Sequence, residues 1–228
     1  MKLSTFFSVI IMASLIIPRT AGAQFGVGAL GGLNFGDAKI EDDQGNTIEA
    51  KGQTEFGAGV LAEFDLNEDL TLGTNILYLK KGVEATTADG LVFNVWAGYI
   101  EVPLYLKYSF GEKTRPYFFI GPSVGFLAHS EVDIEVVGLP FNGDFSTVLE
   151  NMDYSIVIGA GLDIPLWKGN LLIQGRYTYG FYDILKGGTV ELKAGETLRE
   201  YATVNEGDKI FTRGIHLFAG YTLPLGHK

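Results

Sequence analysis

Seven ionisable residues, Glu55, Glu63, Glu101, Lys107, Asp163, Arg176 and His216, sit at positions that alternate with apolar or small neighbours. In YIEVPLYLKYSF, starting at Tyr99, the residues Glu101, Pro103, Tyr105 and Lys107 alternate with Val102, Leu104, Leu106 and Tyr108. An extended segment with that period carries its charges on one face and its oily residues on the other. Charges gathered in a narrow interior must be paired or hydrated, so the chemistry these residues offer is mutual neutralisation in a structural network. By order and height, Arg176 is expected to pair with Glu101, and Lys107 with Glu63 or Asp163.

Catalytic constellations are poorer. The histidines are His129, His216 and His227, and pairing Ser123 with His216 has no nucleophile elbow or third member to support it. GVGALGG, from Gly26, lacks the Lys-Ser/Thr of a phosphate-binding loop. Cysteine is absent, which removes thiolate metal sites, cysteine nucleophiles and disulfides. Acidic groups at Asp37, Glu41, Asp42, Asp43 and Glu49, and at Glu131, Asp133 and Glu135, read as solvated loop surface. No catalytic, cofactor or metal site is therefore expected. Lys80 and Arg213 break the alternation: they share parity with the apolar-face residues Tyr78 and Ile215, so each could snorkel towards lipopolysaccharide phosphates or mark a bulge or early strand end.

The elements that must carry these residues are strands near 25–36, 53–65, 70–84, 97–110, 116–128, 153–166, 170–182 and 210–225. Three connections are short, DLNED from Asp65, GEKTR from Gly111 and WKG from Trp167. The other four, around 37–52, 85–96, 129–152 and 183–209, are longer and polar or glycine-rich. Strict alternation of short and long connections is the pattern of an even-stranded, antiparallel, up-and-down transmembrane barrel with tight periplasmic turns, long outer loops and periplasmic termini. The expected fold is all-β and eight-stranded.

Within the strands, Phe56, Ala58, Val60, Ala62 and Phe64 face lipid while Glu55, Gly57, Gly59, Leu61 and Glu63 face the lumen. Ile156, Ile158, Leu162, Ile173, Tyr177, Ile215 and Leu217 are likewise assigned outward, with Ser155, Gln174, Thr178 and Phe218 inward. Phe64, Tyr108, Phe110 and Trp167 near the short turns, and Tyr78, Tyr179 and Phe181 towards the long loops, suit interfacial girdles.

Export is written at the start. Lys2, an apolar stretch from Leu3 to Ile17 and Ala21-Gly22-Ala23 form a signal peptide over 1–23, leaving 24–228 as one barrel domain. Its loss takes the formal charge from -10 to about -12, by removing Lys2 and Arg19. So acidic a chain does not suit nucleic acid, whose phosphates need a basic face. Hydrophobic residues at 46% and 31 glycines suit a curved barrel wall better than a soluble core. An eight-stranded lumen is only wide enough for side chains to fill, so an open solute channel is not expected.

The segment Tyr99–Tyr108, followed by a short turn and PYFFIGPSVGF from Pro116, resembles the PorT-like outer-membrane β-barrel family over the whole mature chain. The resemblance implies an eight-stranded barrel in the outer membrane, and the family's namesake takes part in a secretion system, while many relatives have no assigned role. The leading expectation is a structural or protein-interaction barrel, with an envelope or secretion protein as partner. The alternatives are a small-solute or lipid transport barrel, a barrel hydrolase, and a soluble lipocalin-like carrier, which would turn its oily face inward.

Overall fold

A computed structural model describes residues 24–41, 44–45, 47–48, 50–86, 92–136, 139–194, 198–205 and 207–225. Residues 1–23, expected to be a signal peptide, and Asp42, Asp43 and Glu49 lie outside these residues. Eight wall strands run β1 Phe25–Glu41, β2 Thr54–Asp65, β3 Leu70–Thr86, β4 Val92–Ser109, β5 Arg115–Val136, β6 Met152–Leu166, β7 Gly169–Gly180 and β8 Lys209–Pro224. Each pairs antiparallel with its sequence neighbour, and β1 pairs with β8, from Gly26 opposite Pro224 to Glu41 opposite Lys209. That pairing closes the sheet on itself, so the barrel wall satisfies its backbone groups without an open edge. The start of β1 and the end of β8 lie at the short-turn end, where Leu225 N–H donates to the Phe25 carbonyl.

Period-2 patterning sets the faces as expected. Phe56, Val60, Ile76, Leu104, Ile120, Ile158, Ile215 and Leu217 are exposed on the outer surface, whereas Leu61, Leu77, Leu79, Tyr105, Arg176, His216 and Phe218 are buried inside. Tyr108, Phe110, Trp167, Tyr179 and Phe181 are exposed towards the strand ends. The glycines make room within the lumen: a methyl group on Gly73 would overlap the Tyr105 ring, and one on Gly161 would overlap the Tyr117 ring. Large inward aromatics thus lie over bare backbone on neighbouring strands. At the short turns, Gly111 adopts φ 93° and Trp167 adopts φ 54°, the left-handed region that tight reversals use.

Two irregularities lie in the half of the barrel nearer the long loops. The β4–β5 register shifts between Gly98 and Tyr99. Gly57 of β2 faces Leu79 of β3, but just before β2 the short strand Ala50–Gly52 sets Gly52 against Val83, a slip of one residue. In that gap the Asn34 side-chain amide donates to the Lys80 carbonyl at 2.6 Å and supplies a bond that the ladder lacks.

The long connections are more ordered than their polar, glycine-rich composition suggests. Beyond the barrel rim, β5 continues to Val136 and pairs with a strand at Leu139–Asp144. That strand pairs with Gly188–Ala194, and the latter pairs with Leu198–Val204. The expected loops at 129–152 and 183–209 are therefore corrected: much of them forms a sheet standing on one side of the rim. Its cause is the same alternation that builds the wall. Val132 is buried between the exposed Glu131 and Asp133, and Val132, Phe141, Val148, Val190 and Leu192 form a core on one face.

Candidate functional site

The lumen is filled in layers. Nearest the short turns, Lys107 on β4 is held by Glu63 on β2, at 3.0 Å, and by Asp163 on β6, at 2.7 Å. Its ammonium also lies 4.3 Å from the centre of the Tyr117 ring. Lys107 is 4% exposed, so this three-strand clamp operates largely out of water. Both expected partners of Lys107 are thus in place. Below the clamp a recess of about 410 Å³ opens at the short-turn end, with Glu63, Lys107, Asp163 and Trp167 in its lining.

Mid-height is apolar and aromatic rather than ionic. Leu30, Leu61, Leu77, Leu79, Leu172 and Phe218 form one buried cluster, and Tyr105, Tyr117, Phe119 and Val157 another. Tyr105 and Tyr117 turn their hydroxyls to Asn75 and Gln174, each at 3.1 Å. Leu77 and Leu79 are fully buried, so the barrel axis is blocked by packed side chains.

The layer nearer the long loops centres on Lys81, which the sequence reading did not single out. Its ammonium lies 2.7 Å from Glu101 and 3.4 Å from Asp153, and the Thr212 hydroxyl donates to Asp153 at 2.5 Å. This corrects the expected Arg176–Glu101 pair. Arg176 makes no ion pair or hydrogen bond among the described residues; its guanidinium lies 4.7 Å from the Phe218 ring centre, within electrostatic range of Glu101. His216 stacks on the same Phe218 ring, and its Nε2 meets the Thr178 hydroxyl at 3.1 Å. Parity with Leu77 and Leu79 was the available signal for Lys81, since the next inward position of β3 is residue 81.

Glu55 does not join the lumen clusters. It lies where the ladder between β2 and β3 slips register, and its carboxylate meets Lys80 at 3.2 Å. Lys80 also stands 4.4 Å from the Trp96 ring centre, and Trp96, His129 and Tyr78 form a contiguous aromatic cluster. Arg213 lies over Tyr179, 5.1 Å from the ring centre. Both cations therefore flank aromatic residues near the long-loop end, and Lys80 already has an anionic partner.

At the long-loop end the rim is covered. Phe145–Leu149 and Ile184–Leu185 fold across it, fastened by Glu150 N–H to the Ile184 carbonyl at 2.7 Å and Lys186 N–H to the Val148 carbonyl at 2.8 Å. Leu149, Ile184 and Leu185 are buried together beneath this cover. Beside it, the sheet beyond the rim turns a polar face outward around a recess of about 850 Å³, whose lining includes Glu131, Asp133, Asp144, Glu191 and Lys193. Its last strand, Leu198–Val204, pairs on one side with Gly188–Ala194; among the described residues no strand pairs with its other side, and Tyr201 there is 69% exposed.

Residues 18–186 match the outer membrane protein beta-barrel domain family. No curated protein sequence matches the chain. Among solved structures, a major outer membrane protein from Thermus thermophilus aligns with a TM-score of 0.51 at 14% identity, covering 89% of this chain and 100% of that one. OprG from Pseudomonas aeruginosa aligns with a TM-score of 0.50 at 12% identity, covering 89% of this chain and 96% of that one. The outer membrane protease OmpT from Escherichia coli aligns over 91% of this chain and 99% of its own, at 11% identity and a TM-score of 0.40.

Proposed function

The chain belongs to the outer membrane protein beta-barrel domain family, and from that membership we propose a non-enzymatic, non-conducting barrel whose long-loop end is a protein-interaction platform in envelope assembly or secretion. The observation that carries this reading is the contrast between the two parts of the molecule. Packed apolar residues block the lumen, whereas the sheet beyond the rim is an ordered surface with an unpaired edge among the described residues. An unpaired edge offers backbone donors and acceptors to a partner.

The segments Tyr99–Tyr108 and Pro116–Phe126 support placement in the PorT-like branch, which is where the secretion role comes from. Residues 1–23 act as a cleaved signal peptide in this reading. Both termini and the short turns then lie in the periplasm, and the platform faces outward from the cell. Arg213, stacked on Tyr179 near the outer interface, is the better candidate for contact with lipopolysaccharide phosphate, since the Lys80 ammonium already meets Glu55.

Site-directed photo-crosslinking in intact cells tests the platform. A photoreactive residue replacing Tyr201 should give a discrete protein adduct that is absent when the same residue replaces Ile215 on the lipid face. Identical adducts at both positions would count against a platform partner.

A further inference from the structure

The outermost strand beyond the rim, Leu198–Val204, pairs with Gly188–Ala194 without a break, from Ala194 opposite Leu198 to Gly188 opposite Val204. Its other edge has no strand partner among the described residues. Natural sheets defend such edges with proline, lysine, a bulge or a very short strand, and LREYATV has none of these. Of its two charges, Arg199 is drawn away from the free edge to Glu191 on the neighbouring strand, at 2.8 Å. Glu200 is exposed and has no ion-pair or hydrogen-bond partner among the described residues. Ala202 and Val204, which share its face, pack against the core of Val132, Phe141, Val148, Val190 and Leu192 yet stay only partly buried. That core therefore stops at the edge with apolar surface to spare. On the opposite face Tyr201 and Thr203 are exposed.

Resting on the platform reading, we propose that this edge takes up an extended segment of a partner protein by β-strand addition, and that the segment carries two aliphatic residues and a cation at alternate positions. Backbone hydrogen bonds supply the attachment, and alternate side chains supply the choice. In antiparallel register, aliphatic residues opposite Val204 and Ala202 continue the core that ends there. The next residue on that face lies opposite Glu200, where a lysine or arginine answers the free carboxylate across the strand pair. The other face asks only for polar or β-branched residues beside Tyr201 and Thr203. A second copy of the chain fits less well: pairing the edge with itself about Tyr201 sets Glu200 opposite Ala202 and leaves the carboxylate unanswered.

The test uses the isotope-labelled, folded, full-length mature barrel in detergent. The probes are the capped peptide Val-Thr-Val-Thr-Lys-Thr-Thr, its analogue with glutamate in place of lysine, and the lysine peptide N-methylated at two consecutive central residues. One of those two nitrogens must face the edge, so methylation removes a ladder donor while keeping the side chains. The lysine peptide should bind saturably and slow amide exchange within Leu198–Val204. The glutamate peptide should bind about 2- to 5-fold more weakly, with the order reversed in Glu200→Lys, and the methylated peptide should not bind. Glu200→Lys alters an exposed side chain, and its folding is checked by the shift between boiled and unboiled gel mobility. No binding of the lysine peptide, equal binding of the methylated one, or a charge preference unchanged in Glu200→Lys would overturn the proposal. Protection of the same amides that rises with barrel concentration in the absence of peptide would assign the edge to a second copy and overturn it as well. A discrete crosslinked adduct at Tyr201 without peptide binding would leave the platform standing and remove strand addition; peptide binding without an adduct would keep the edge as a strand acceptor and remove the cellular platform partner.

Discussion

Lys81 places one ammonium opposite the carboxylates of Glu101 and Asp153, which come from two different strands. Removing one partner of a buried ion pair leaves an uncompensated charge and costs about 3 to 5 kcal/mol. Lys81→Met should therefore destabilise the folded barrel by that order, and adding Glu101→Gln should recover part of the loss. Urea unfolding in lipid vesicles, followed by tryptophan fluorescence, measures both; strictly additive losses would show that the two residues are not energetic partners. If Arg213 makes the proposed contact with headgroup phosphate, Arg213→Gln should weaken the barrel more in lipopolysaccharide-containing membranes than in neutral detergent. Equal losses in the two environments would remove lipopolysaccharide from the account.

The wall strands follow one rule, a polar or packed face inward and an oily face outward, and that rule makes a sharp comparison at adjacent positions. Leu104 is 52% exposed and Tyr105 is 5% exposed. Leu104→Arg near the bilayer midplane should cost roughly 2 to 4 kcal/mol in a membrane and much less in detergent. Tyr105→Arg should instead lose the Asn75 hydrogen bond and the packing against Phe119, with the same loss in both media. Matching profiles for the two variants, measured by refolding yield and urea midpoint, would contradict the face assignment. The faces were legible in the sequence because a period of two admits only one choice of side once a single residue is placed. Partners were less legible, since they depend on stagger across non-neighbouring strands. Lys107 could be matched by height to Glu63 or Asp163, and it meets both, but Glu101 pairs with Lys81 rather than Arg176. Glu55 found Lys80 as its partner because the pairing of its strand with β3 slips register there, which alternation cannot reveal. The strands beyond the rim were hidden by their charged and glycine-rich composition, although Val132 and Ile134, and likewise Val190 and Leu192, carry the same alternation on a smaller scale.

Across the whole molecule, closure and filling act together. The β1–β8 pairing removes the edges at which a sheet would open, and glycines opposite inward aromatics let large side chains fill the interior. The outer membrane supplies an apolar environment for the exposed band, while the covered rim and the sheet beside it stand beyond the barrel wall. An account in which the lumen is sealed is tested most directly by single-channel recording of the purified, folded barrel in a planar bilayer. The sealed lumen predicts no steady large conductance at any applied voltage that the bilayer withstands, because the packed layer around Leu77, Leu79 and Phe218 blocks the axis. A steady, reproducible large-conductance pore from the same preparation would contradict it and would make transport the function to pursue.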